Sequence, residues 1–427
     1  MTELPQMFRL RQMWQRPRVD DVAAGAREQL QRLELGAKIR PGQTVAITAG
    51  SRGIAQIAVI LRSVVEHLRS LGAEPFLVPS MGSHGGGTAA GQRRVIESYG
   101  ITEAFCRCPI RADMETVVVG QAEQGFPIHF DRIARQADHV FLCGRVKPHT
   151  MLAGRYQSGL VKMLLIGLGK QNGAQVYHRA MLDFGFDAFA PAVARRLMRE
   201  CRIVAGLAVL ENAYDEVAQL VALRPEEIEA REPELLRQAI AWMPRLPFNA
   251  ADVLVIDEIG KNISGSGLDT NVVGRKFNDH AAAADELPKV RRIIVRGLTA
   301  ATQGNAVGLG IAEFCKTRII EQMDRQATWL NALVAGHVSA AMQPLHYATD
   351  RELLATALST LGLVAPREAR VMWIKNTLDL SELACSAAYF EEASSRGDLQ
   401  ILGAAGEMPF DAVGDLPAAG VQGSFSE

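Results

Sequence analysis

Thr44-Val45-Ala46-Ile47-Thr48-Ala49-Gly50-Ser51 decides the reading of this chain. A short apolar run that stops at glycine and serine reads as a buried strand followed by a turn. Outward from it, Ile54, Ile57, Leu61, Val64, Val65, Leu68 and Leu71 recur at helical spacing, and Gly72 closes that helix. Residues 74–78 read as the next strand, which runs into Pro79-Ser80-Met81-Gly82-Ser83-His84-Gly85-Gly86-Gly87. A helix is expected over 93–99. A strand over 139–146 ends in Lys147-Pro148-His149, and a helix over 189–200 and a strand over 203–210 follow. This alternation predicts an α/β protein with mainly parallel sheets and helices on both faces. Ligands in such sheets sit beyond the carboxyl ends of the strands. The polar turns at 50–52, 82–87 and 147–150 all lie there.

A helix over 225–242 is followed by Pro244-Arg245-Leu246-Pro247, which marks a domain boundary. The expected domains are 1–246 and 247–427, in keeping with 427 residues at about 150 per domain. The second has strands at 252–256, 292–295 and 370–375, with helices near 320–335 and 350–361. An active site is expected in the cleft between the two. The tail from about residue 404, rich in Gly, Ala and Pro, is expected either to run back over the first domain or to be loosely ordered.

Lys+Arg is 46 and Asp+Glu is 47, so charge gives no case for a nucleic-acid partner. No apolar run approaches the roughly 18 residues of a membrane span. Residues 1–18 lack the apolar core of a secretion signal. The cysteines (106, 108, 143, 201, 315 and 385) form no Cys-x-x-Cys pair. They read as reduced thiols of a cytoplasmic protein.

Of nine histidines, three stand out. His84 sits in a glycine turn, His149 follows a strand end, and His178 follows a glycine-rich stretch. Histidine suits proton transfer and metal binding because its ordinary pKa is about 6.5. Loop histidines bonded to the backbone are the plainer reading of each. Lys162 closes Ser158-Gly159-Leu160-Val161-Lys162 and borders the apolar run 163–167. It reads either as a buried amine able to act as nucleophile or tether, or as a snorkelling surface lysine. Gly167, Gly169 and Gly173 miss the dinucleotide spacing. In the second domain, residues 257–275 combine Lys261 with Asn, Ser, Asp and Arg, as an anion- or hydroxyl-binding loop would need.

Together these residues resemble the nickel-dependent lactate racemase family, the hydroxy-acid racemases and epimerases that use a nickel-pincer nucleotide. The matching pieces are Ser51-Arg52, the turn at His84, Lys147-Pro148-His149, the Ser158–Lys162 element and His178. The interval from Lys162 to His178 agrees with the family's interval between tether lysine and metal ligand. The resemblance implies inversion of the C2 centre of a 2-hydroxy acid by hydride transfer to and from the nucleotide. Lys162 would hold it covalently beside Ser158, and His178 would ligate nickel. His84 and His149 would be the acid/base pair, and Arg52 would bind the substrate carboxylate, whose planar pairing suits a guanidinium. Separate maturation enzymes would supply the nucleotide.

Three departures bear on the substrate. Ala49 stands where the family has an acidic residue. About three extra residues lie around Arg155-Tyr156-Gln157. The second-domain Gln-x-x-Lys element is not evident, and Lys261 is taken to replace its lysine. Added polar groups at Arg155 and Gln157 suit a longer polyhydroxylated or dicarboxylic acid. Two other readings stay open. One is an enzyme of this fold that binds a divalent metal through the histidines for hydrolysis or dehydration. The other is a non-catalytic nucleotide or anion sensor.

Overall fold

The computed structural model describes residues 3–51, 53–276 and 284–417. They divide into two compact units, 15–243 and 1–14 with 244–427.

The unit 15–243 carries seven strands of the chain. After β1 (Met7–Gln12), which belongs to the other unit, come β2 (Thr44–Ala49), β3 (Glu74–Pro79), β4 (Thr116–Gln121), β5 (Pro127–Asp131), β6 (His139–Arg145), β7 (Ile203–Glu211) and β8 (Val217–Leu223). Five of them form a sheet in the order β3-β2-β6-β7-β8, parallel except for β8. β4 and β5 form a separate antiparallel hairpin. Side chains alternate across the sheet. Val45 and Ile47 join one core with the helix Ile57–Ser70, and Ala46 joins the other with the helix Phe186–Glu200. The sheet is therefore covered on both faces, as the sequence indicated. From β2 the chain goes first to β3 on one side and later to β6 on the other. The topological switch point thus lies between the carboxyl ends of β2 and β6, where a doubly wound sheet opens a crevice.

The second unit continues with β9 (Ala250–Ile256), β10 (Lys289–Val295), β11 (Phe314–Lys316), β12 (Leu345–Tyr347), β13 (Val371–Ile374), β14 (Glu382–Ser386) and β15 (Leu399–Ile401). Its eight-stranded sheet runs β12-β11-β10-β9-β13-β14-β1-β15. The helix expected over 320–335 is two helices, Thr317–Gln322 and Arg325–Ala335. Asp324 starts the second by accepting from the Ala327 N–H at 2.9 Å.

Two features differ from the sequence reading. Residues 1–14 do not join 15–243. β1 pairs antiparallel with β14 and β15, and it buries Met7, Phe8 and Leu10 there. The described part of the tail also stays with the second unit. Gly406 bridges Met7, and the Leu416 carbonyl accepts from Arg296 at 2.8 Å. A buried arginine needs such acceptors, because an unpaired charge out of water is costly. All six cysteines are buried and free of disulfides. No helix among the described residues is long and apolar enough to cross a membrane.

Phe8 is fully buried, with its ring 5.2 Å from that of Phe390. Phe8→Ala should cost about 3–5 kcal/mol. Hydrogen exchange should speed up across β9–β15 and stay unchanged across β2–β8.

Candidate active site at the carboxyl edge of the first sheet

The segment after Ser158 is built against the switch point. A short helix, Leu160–Lys162, runs directly into a π-helical turn, Met163–Gly167. Such turns are rare and collect at functional sites. A β-carbon added to Gly50, just past β2, would lie 3.0 Å from the Met163 methyl, and one on Gly144, in β6, 3.4 Å from it. Met163 is therefore seated over the β2 and β6 ends, and Lys162 beside it stands at the crevice. Leu160 and Val161 are buried while Lys162 is partly exposed.

His178 lies on the helix Lys170–Phe184, half-buried. Burial pushes its imidazole below the usual histidine range, and the positive charge of Lys162 lowers it further. Lys162 and His178 are thus within electrostatic reach, and the downward shift favours the neutral imidazole, the form that ligates a metal.

His84 is exposed at the head of the turn after β3. The turn is anchored from below. Gln92, on the helix Ala89–Glu97, donates to the Gly82 carbonyl at 2.8 Å. Lys170 Nζ in turn donates to Gln92 Oε1 at 3.3 Å and to the Pro79 carbonyl. Its ion pair with Asp131 is 3.0 Å long, with both side chains fully buried. Gly82 itself is in the left-handed region at φ +58°, and a β-carbon there would press on Ala174 at 3.2 Å.

His149 sits in a loop closed by two backbone hydrogen bonds. Lys147 N–H donates to the Ser158 carbonyl at 3.1 Å, and Ser158 N–H returns one at 3.2 Å. Gln157 Oε1 accepts from the His149 N–H at 2.7 Å. His149 Nδ1 accepts from the N–H groups of Met151 and Leu152 at 3.0 and 3.1 Å. An acceptor nitrogen carries no proton, so the neutral ring is protonated at Nε2. Asp187 accepts from the N–H groups of Arg155 and Tyr156. The extra residues therefore brace the His149 loop. Gln157, buried beneath it, serves that loop in the structure.

His84, His149, Ser158, Lys162 and His178 thus share the carboxyl edge of one sheet. Lys261 belongs to the other unit. Its Nζ donates to the Gly265 carbonyl at 2.6 Å, within its own loop. Arg52 lies outside the described residues; nearby, Glu211 accepts from the Ala55 N–H at 2.7 Å. Among the described residues no three His, Cys, Asp or Glu side chains converge to hold a metal. The three histidines do not form a metal cage by themselves.

Sequence reasoning missed Glu232. It is buried on the helix Pro225–Trp242 and accepts from the Val161 N–H at 3.0 Å, under the Lys162 segment. Its position among the buried residues Ile228, Leu235, Leu236 and Ala239 is a signal the sequence does carry. Gly159 permits the approach, since a β-carbon there would lie 2.4 Å from the carboxyl group.

Residues 22–185 match the family model of the lactate racemase N-terminal domain. The match spans every site residue named above except Lys261, Glu211 and Glu232, together with Asp187. No curated protein matches the chain in sequence. The fold is similar to that of the lactate racemase apoprotein from Thermoanaerobacterium thermosaccharolyticum. The TM-score is 0.53 at 12% identity, over 86% of this chain and 93% of that one. The resemblance seen in the motifs thus recurs in the domain match and in the fold.

Burial pushes the Glu232 carboxyl up to about 7, against the Val161 and Leu160 N–H groups, which pull it down. The folded chain then keeps a proton that the unfolded chain releases near 4.5. Stability should fall as pH rises from about 4.5 to about 7, by about 3 kcal/mol, and level off above. Glu232→Gln should remove that component. Urea midpoints of both proteins at pH 5 and pH 8 measure it.

Proposed function

We propose that the chain is a racemase or epimerase acting at C2 of a 2-hydroxy acid, with a nickel-pincer nucleotide attached to Lys162. The observation that carries this reading is the nearness of Lys162, at the switch point, to the desolvated imidazole of His178. The match of residues 22–185 supports it. A lysine beside a single metal-ligating imidazole fits a group that brings most of the nickel's donors with it. A site built only from protein ligands needs more of them. That comparison disfavours the divalent-metal hydrolase reading.

When bound, the nucleotide supplies a hydride acceptor, which spares the reaction a carbanion. The chain's part is to hold it and to move protons. Lys162 would hold it covalently, with Ser158 beside it, and His178 would complete the nickel coordination. The substrate hydroxyl must lose a proton as C2 is oxidised, and regain one as C2 is reduced on its other face. The oxygen then lies in two places, so two proton carriers are needed. His84 and His149, on separate turns of the same edge, fill those roles. Arg52 would take the carboxylate as a bidentate partner.

Protein co-expressed with the maturation enzymes should carry added mass on Lys162 and close to one nickel per chain. Lys162→Ala should abolish the added mass, and His178→Ala should lower nickel. His84→Ala and His149→Ala should keep both but lose roughly a hundredfold to ten-thousandfold in turnover. An unmodified lysine without nickel, in a host that loads a known lactate racemase, would refute the proposal.

A further inference from the structure

The helix Arg325–Ala335 packs inside out. It buries Thr328 and Ala332, which are small, and turns its large apolar residues to the surface. Trp329, Leu330, Leu333 and Val334 are 53, 62, 65 and 56% exposed. A helix that only covers its own sheet does the reverse. Past the Gly336 cap the apolar surface continues through Val338 and Leu345, and Leu345 opens the edge strand β12. Residues 326–349 contain no Asp, Glu, Lys or Arg, in a chain where those types make up 22%.

Surface helices that tolerate water carry charge, and monomeric proteins rarely leave so large an apolar stretch uncovered. Side chains of this size at these exposures leave several hundred Å² of apolar surface. That approaches the about 800 Å² that each partner gives to a standard interface. The missing charge narrows the occupant. An acidic or basic partner would find nothing to pair with, and a membrane-surface helix needs a Lys/Arg face. Permanent self-association surfaces are the more apolar class. The chain's net charge of −1 also leaves no long-range repulsion between copies.

We infer that the chain forms a twofold dimer in which the helix Arg325–Ala335 packs against the same helix of a second copy. Such an interface is self-complementary and closes after two chains instead of growing into a filament. The inference rests on the second unit alone and is independent of the proposed chemistry.

Sedimentation of the full chain at micromolar concentration tests it. The wild type should sediment at twice the 46.4 kDa chain mass. The double variant Leu330→Glu/Leu333→Glu should sediment as one chain with an unchanged circular dichroism spectrum, because both side chains are already in contact with water in one chain. Hydrogen exchange over 326–349 provides a second reading that needs no variant. Protection should rise with protein concentration. A wild-type monomer, a dimer that survives the double substitution, or a monomer that binds anionic phospholipid vesicles through this helix would each overturn the inference.

Discussion

The buried pair between Lys170 and Asp131 is the contact on which the candidate site hangs. Two charges taken fully out of water are tolerable only when each finds its partner and further hydrogen bonds. Here the ammonium reaches Asp131, the Pro79 carbonyl and Gln92, and Asp131 also caps the helix Arg132–Gln136 through the Ala134 N–H. These groups come from the end of β3, the helix after the His84 turn, the β4–β5 hairpin and the start of the His178 helix. One lysine thereby ties together the elements that carry two candidate site residues. Lys170 itself adopts φ +52°, which a non-glycine residue holds only when its surroundings over-determine it.

The strands and turns that place the site were legible because each is local. β2, β3, β6 and β7 are apolar runs that end in glycine, proline or a polar turn, and those ends hold the site. The elements that escaped notice take their meaning from distant partners. β1 is short and pairs with residues more than 370 positions away, which no local pattern reports. The helix Lys170–Phe184 begins in glycines that read as a loop. Gly169 and Gly173 instead let the Tyr177 ring pack within 3.0 Å of where a β-carbon would stand. They serve close packing, not a turn.

The same distinction separates the site residues. His84, His149, Lys162 and His178 follow conspicuous local signals. Lys170, Asp131 and Gln92 do not, because a charged or amide residue in sequence looks alike whether it ends in solvent or in the core; Glu232 differs in lying on the apolar face of its helix. The π-helical turn was illegible for a related reason. It opens with Met163 seated against Gly50 and Gly144, a contact with distant residues that no local pattern reports.

The hydrogen bonds to His149 Nδ1 give the ring a polarity. With two N–H groups aimed at that nitrogen, the proton of the neutral ring rests on Nε2. To take up a proton at Nε2, the ring would first have to shift its own proton to Nδ1, straight into those donors. In this conformation the neutral ring presents an N–H at Nε2 and serves as a hydrogen-bond donor to a substrate oxygen. Moving a proton at Nε2 in either direction needs Nδ1 to carry a proton as well, and the two N–H groups aimed at it oppose that. Under the proposed function, the 147–158 loop would thus have to release Nδ1 before His149 could carry a proton, which makes that loop the control on one half of the inversion.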